Sequence, residues 1–207
     1  MVITGITECD IWITSDTHYN HKNICRGVTD WRKEDGSIPL HRTRDFPSIE
    51  VMNDAIVNGI NNVVSRDDIL IHLGDWSFGG FNSIYEFYQR LNCKNIHLIL
   101  GNHDHHIKKN KGNIRDIFLS VDKSNDEYRI NQFTLHLEHY PILLWKDVKK
   151  GNIHLHGHTH FVGDRRFGTG RRMDVGIDGH PEFRPYNIIK EIIPMMLERP
   201  IKCDIDI

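Results

Sequence analysis

No two of the four cysteines, Cys9, Cys25, Cys93 and Cys203, form a CxxC pair. A disulfide framework and a zinc–thiolate site are therefore not expected, and a reducing, cytoplasmic setting fits. No apolar run approaches the roughly 18 residues that a membrane span needs. The opening MVITGITECDIWITSD has neither the basic start nor the unbroken apolar stretch of a signal peptide. A global basic excess is missing as well: net charge is −2 with histidines neutral, so charge alone advertises neither nucleic acid nor a membrane surface. The zinc-peptidase signature HExxH does not occur, since residues 136–139 read HLEH, wrong in spacing and order. Repeats, linkers and low-complexity tracts are also lacking. Residues 1–207 thus read as one domain, long enough to bury a sizeable core.

What the chain has in excess is histidine, 15 residues of it, the commonest metal ligand and the usual acid–base group near neutral pH. Four stand at alternate positions in GNIHLHGHTH: His154, His156, His158 and His160. Alternate residues of an extended chain share a face, but Gly157 is expected to bend this one. His158 and His160 then fall at the strand end, His154 reads as a structural strand residue, and His156 as a hydrogen-bonding neighbour of the site.

Five segments share one grammar, an apolar or alternating run that stops in polar residues: DIWITSDTH (10–18), DDILIHLGD (67–75), NIHLILGNHD (95–104), QFTLHLEHYP (132–141) and NIHLHGHTH (152–160). Each reads as a strand running into a loop. Residues 48–64 carry apolar side chains at 49, 52, 56, 60 and 63 behind Ser48, a helix with its N-cap. A shorter amphipathic helix is expected over 82–91. The first half thus alternates β-α-β-α-β, as a parallel layered sheet requires. Further strands are expected over 117–121, 127–130 and 171–178, and a helix interrupted by Pro194 over 187–197, packed either internally or on a second subunit. The oligomeric state is not legible.

In open α/β sheets ligands bind beyond the carboxyl ends of the strands. There this chain carries Asp16 and His18, Asp75, Asn102 and His103, His139, and His158 and His160. These oxygen and nitrogen donors suit zinc, iron, manganese or nickel. They are too many for one ion and enough for two if a carboxylate bridges.

At these residues the chain resembles the calcineurin-like metallophosphoesterases, whose five motifs occur in order: DxH at 16–18, GD at 74–75, GNHD at 101–104, the lone His139, and GHTH at 157–160. The resemblance implies a four-layer α/β/β/α sandwich of two sheets flanked by helices. It implies two divalent metal ions, manganese first, with iron, zinc and nickel as alternatives. One ion would be held by Asp16, His18, His160 and Asp75, and the other by Asp75, Asn102, His139 and His158. A metal-bridging hydroxide would attack phosphorus. His103 would steady the phosphate or protonate the leaving oxygen, and Asp104 would orient His103.

For the substrate, two basic clusters follow the motifs. One is Arg26, Arg32, Lys33, Arg42 and Arg44; the other is Arg165, Arg166, Arg171 and Arg172. They read either as phosphate-tracking loops, with Trp31, Phe46 and Phe167 to stack on bases, or as solvated loops balanced by Glu34, Asp35, Asp45 and Asp164. His21 and Asn23, beyond the first motif, border the expected pocket as substrate contacts or as loop hydrogen-bonders. His72, three residues before Asp75, reads as structural. His105 and His106 read as solvated loop residues within reach of substrate. A phosphodiester such as a nucleotide or cyclic nucleotide leads, then a nucleic-acid end, then a phosphomonoester, including a phosphoprotein. A catalytically silent phosphate- or RNA-binding scaffold is the non-enzyme alternative.

Overall fold

The computed structural model describes residues 2–3, 9–25, 44–123 and 126–205. Its first sheet is built on three parallel strands, β2 (Ile11–Thr14), β3 (Ile69–His72) and β4 (Ile96–Ile99); β1 is the short strand Val2–Ile3. Alternation along these strands divides their side chains between two cores. Trp12, Leu70, Ile96 and Leu98 face the helical side, while Ile11, Ile13, Ile71 and Ile99 face the second sheet. Being buried on both faces, the strands read as nearly continuous apolar runs.

The helical side is α1 (Ile49–Asn61) and α2 (Phe81–Arg90). Ser48 caps α1 by accepting the Val51 N–H at 3.2 Å. Met52, Ile56 and Ile60, spaced by four, form its buried stripe. Each such side chain contributes about 1.5–3 kcal/mol on leaving water. Helix α2 buries Ile84 and Phe87 and starts after Gly80 with no side-chain cap. A short α3 (His105–Lys109) follows β4. The strand expected over 117–121 begins late, as β5 (Ser120–Asp122), because residues 111–117 coil into 3-10 turns.

The second sheet has the order β1-β6-β7-β8-β9. Its hairpin pairs β6 (Asp126–Ile130) with β7 (Phe133–Leu137), turning at Asn131 with φ 53°. Strands β8 (Ile153–His156) and β9 (Arg172–Asp174) continue in parallel from β7. Leu135, Leu137, Ile153, Leu155 and Met173 point at the first sheet, and His136, His154 and His156 at the opposite face. The fold is therefore two sheets face to face, with α1 and α2 outside the first. Over the outer face of the second lies a loop bearing Trp145 and Val148, with a 3-10 turn, Val148–Lys150.

His154 is structural, as its strand position suggests. Its Nδ1 lies 3.1 Å from the His136 carbonyl, its Nε2 accepts the Ile142 N–H, and Trp145 covers it. Burial pushes its pKa down to about 3, so the ring is neutral.

The helix expected over 187–197 comes in two pieces. A π-helical turn, Ile188–Ile192, runs into α4 (Ile193–Leu197), and Pro194 stands in the first turn of α4, where its missing N–H costs nothing. Ile188, Ile192, Ile193 and Met196 fill the space between the sheets, so the segment packs internally. Ahead of it, β10 (Tyr186–Asn187) pairs antiparallel with β2. No helix among the described residues is long and apolar enough to cross a membrane.

Candidate metal centre

The C-terminal ends of β2, β3 and β4 from one sheet, and of β7 and β8 from the other, open onto the same edge. The chain makes each exit sharply. Asp16, His18, Asp75, His158 and His160 all have positive φ, between 47° and 69°. That region is sparsely populated by non-glycine residues, though Asp and His tolerate it better than most. Such strain is of order 1–3 kcal/mol per residue and collects at functional sites. Gly157 serves a different need: a Cβ there would collide with Ser15 Oγ and Asp16 Oδ2, so only glycine lets β8 pass this close to β2.

The side chains converge in two groups, each able to hold a metal ion: Asp16, His18 and His160, and Asp75, His139 and His158. His18 Nε2 lies 3.9 Å from Asp16 Oδ1, and His160 Nε2 lies 3.7 Å from the same oxygen. Asp75 Oδ2 stands 3.4 Å from His18 Nε2 and 3.6 Å from His139 Nε2, between the groups. Asn102 Oδ1 joins the second group, 2.8 Å from His139 Nε2 and 3.0 Å from His158 Nδ1.

These spacings fit a cation. The imidazole–carboxylate separations are mostly too long for good hydrogen bonds. Donors about 2.0–2.2 Å from a common ion, however, stand about 3–4 Å apart. Asp16 Oδ1 and His18 Nε2 are buried with no hydrogen-bond partner, as ligand atoms facing an ion would be. Burial also pushes Asp16 and Asp75 up to about 7, the mark of carboxylates short of positive charge. The tautomers agree as well. His139 donates Nδ1–H to the Leu73 carbonyl at 2.8 Å, which leaves the Nε2 lone pair turned to Asp75.

His160 is oriented by a residue that sequence reasoning missed. Asp178 accepts its Nδ1–H at 2.8 Å and also takes Arg44 Nε at 2.9 Å and Nη2 at 3.1 Å. Burial would raise the Asp178 carboxyl, but Arg44 and His160 hold it well below the usual carboxylate range. Burial likewise would lower His160, yet Asp16 and Asp178 lift it to about 9. Arg44 therefore does not face substrate. It is 2 % exposed and donates also to the carbonyls of Asp16 and Thr17, so that it clamps the first loop.

Asp104 does not orient His103 either. Its two oxygens accept the backbone N–H groups of Gly101, Asp75 and Trp76 at 2.8–2.9 Å, tying the β3 and β4 exits together. His103 itself is half-buried beside the centre, with Nε2 3.9 Å from Asp75 Oδ2 and its own backbone N–H on Asp75 Oδ1 at 2.8 Å. Burial, then neighbouring histidines, lower its pKa.

His21 stacks on Phe78 at 3.5 Å between ring centroids and puts Nδ1 3.1 Å from His18 Nδ1, so it lines the site. Asn23 is exposed beyond it. His156 is buried on the outer face, with Nδ1 2.9 Å from the Gly157 carbonyl, outside both groups. His72 is structural: its Nε2 meets Thr17 Oγ1 at 2.9 Å and its Nδ1 accepts the Gly74 N–H.

The arginines of the second basic cluster have partners within the fold. Arg165 lies over Phe161, and Arg166 lies over Phe167 and donates to the Gly163 carbonyl. Arg171 and Arg172 donate to the carbonyls of Gly151 and Ile142, at the far end of β9 from the site. Phe46 packs on the helical core. Arg26, Trp31, Arg32, Lys33, Glu34, Asp35 and Arg42 lie outside the described residues.

Residues 10–180 match the family model of the calcineurin-like phosphoesterases. An uncharacterized protein of Methanocaldococcus jannaschii is 34% identical over 96 residues, covering 45% of this chain and 46% of that one, so the match spans about half of that relative's length. The gene 66 protein of Mycobacterium phage D29 is 25% identical over 209 residues, covering 89% of this chain and 96% of the phage protein. The crystal structure of a protein of unknown function from Aquifex aeolicus shares the fold, with a TM-score of 0.64 and 20% identity over 91% of this chain and 100% of the other.

Proposed function

Because the chain belongs to the calcineurin-like phosphoesterase family, a family of metal-dependent hydrolases, we propose that it cleaves phosphodiesters of a nucleotide, a cyclic nucleotide or a nucleic-acid end. The centre would hold two ions, one among Asp16, His18, His160 and Asp75, the other among Asp75, Asn102, His139 and His158. The observation that carries this reading is the single oxygen of Asp75 within 3.6 Å of imidazoles from both groups. Bound there, divalent ions supply a Lewis acid for phosphoryl oxygens and a nucleophile drawn from water at neutral pH.

The side chains supply orientation and hydrogen bonds. Asp178 and the Leu73 carbonyl fix the rings of His160 and His139, so neither of these imidazoles has to reorganise during the reaction. His103, held through its backbone by Asp75, presents a half-exposed ring that donates to a phosphoryl or leaving-group oxygen. Two features favour a diester. Asn102 and His158 are exposed, so the centre is open to solvent on their side, where a second substituent on phosphorus would be accommodated. A monoester carries a further negative charge, and Arg44, the arginine seen to reach this cluster among the described residues, is already occupied by Asp178 and two carbonyls.

The test compares bis-p-nitrophenyl phosphate with p-nitrophenyl phosphate in manganese, followed by iron, zinc and nickel. Faster turnover of the diester is expected. His103→Ala should lower kcat about a hundredfold to ten-thousandfold with metal content at the wild-type level. Preference for the monoester would overturn the diester assignment and leave the centre standing.

A further inference from the structure

Next to His103, the chain runs through Ser77, Phe78 and Gly79 to Gly80 and into α2. This turn and the start of α3 enclose a cavity of about 80 Å³. That is several times the ~10–15 Å³ that a single water needs. His103 is part of its wall, so the cavity adjoins the candidate metal centre.

Four features of the lining suit an anion. Ser77 is buried, 7 % exposed, and its Oγ has no hydrogen-bond partner. Gly80 stands ahead of α2 with φ 79° and no side chain caps the helix. Gly80 and Ile84 line the cavity, and the first-turn N–H groups of this ten-residue helix, which have no intrahelical acceptors, fall between them in the chain at the positive pole of its dipole. His105 and His106 form the facing wall, and the His106 ring would lie 3.7 Å from a Cβ built on Gly80. Finally, the run HHIKKNKGNIR, residues 105–115, contains no acid, and Lys108, Lys109 and Lys111 are exposed along it. The acid in the cavity wall, Asp104, directs both oxygens onto backbone N–H groups.

We infer that this cavity is a second phosphate subsite. It takes the phosphate neighbouring the scissile one, and the preferred substrate is an oligonucleotide strand rather than an isolated nucleotide. The inference rests on the phosphodiesterase reading above. The Ser77 hydroxyl, the α2 amides and the imidazole N–H groups donate to that phosphate, while the exposed lysines extend the path of the strand.

The experiment measures kcat/KM for dithymidylate bearing a 5′- or a 3′-phosphate against unphosphorylated dithymidylate. Wild-type protein is compared with the His105→Ala/His106→Ala double variant and with Ser77→Ala. One of the two phosphorylated forms should be preferred by about tenfold or more, the yield of one or two hydrogen bonds to a charged group, chiefly through KM. The preference should collapse toward unity in the double variant and shrink in Ser77→Ala. A wild-type ratio near one, or a ratio that survives the double variant, overturns the inference.

Should no diester be turned over at all, the phosphodiesterase reading fails, and the subsite is judged by binding. Thymidine 3′,5′-bisphosphate titrated into isotope-labelled protein should shift the amide resonances of Phe81, Asn82 and Ser83. Shifts at His103 with none at those three amides would sink the subsite.

Discussion

Replacing Asp75 with asparagine is expected to remove metal and activity together. Turnover should fall about a thousandfold or more, the loss of several kcal/mol of charge stabilisation. Metal content by plasma mass spectrometry should drop from about two ions per chain, as a dinuclear centre requires, to one or none. The reason is position: one oxygen of this carboxylate lies within reach of His18 and His139, so its loss disturbs both groups at once. A variant that keeps its metal and its rate would refute a shared ligand.

The same charge deficit gives metal binding a pH dependence. Without an ion, burial holds Asp16 and Asp75 at about 7 in the folded chain, against an ordinary 3.8, so the fold retains protons that the unfolded chain releases. Their contribution to stability therefore declines as pH rises from about 4 through 7. His160, lifted to about 9 by Asp16 and Asp178 despite its burial, contributes stability below about 6.5 that is lost as pH passes 9. An ion must displace all these protons, so its binding strengthens over the same range. The gain in Tm on adding manganese to chelated protein should be larger at pH 8 than at pH 6; equal gains would contradict the assignment.

Asp178→Ala is expected to destabilise the fold by about 3–5 kcal/mol, because it strands the buried Arg44 guanidinium without its anion. At roughly 2–4 °C per kcal/mol for a chain of this size, Tm should fall by about 6–20 °C. His160 loses its orienting acceptor as well, so affinity for an ion at Asp16, His18 and His160 should weaken about tenfold to a hundredfold. Adding Arg44→Met separates the two roles. With no orphan cation left, much of the stability should return, while the ion affinity should not. Recovery of both would reduce Asp178 to a structural partner of Arg44.

The sequence made the donors legible because each stands just beyond an apolar strand, where residue type and place coincide. Asp16, Asp75, Asn102, His139, His158 and His160 all converge at one edge for that reason. What a linear reading misses is long-range pairing. Arg44 and Asp178 are 134 positions apart, and nothing in RTRD or GIDGH announces the other. Seen alone, Arg44 looks like one more cation in a phosphate-seeking loop. Asp104 misled for a local reason: adjacency to His103 suggests a carboxylate–imidazole pair, yet the turn directs the carboxylate at three amides instead. Strand β10 was invisible because two residues, Tyr186 and Asn187, carry no period. Pro194 suggests an interruption, whereas the π-helical turn before it lets the chain restart with proline in the first turn of α4.

The donors come from both sheets: Asp16, Asp75 and Asn102 leave the first, and His139, His158 and His160 leave the second. An ion bound among Asp16, His18 and His160 is then a removable cross-link, closing a chain loop of more than a hundred residues much as a disulfide would. A second ion at Asp75, His139 and His158 staples the sheets at a neighbouring point. Chelation thus cuts two rivets at one end of the sandwich and leaves the apolar interface between the sheets to hold alone. The far end, filled by Ile188, Ile192 and Met196, keeps its grip, so a metal-stripped chain should gape from the catalytic edge first.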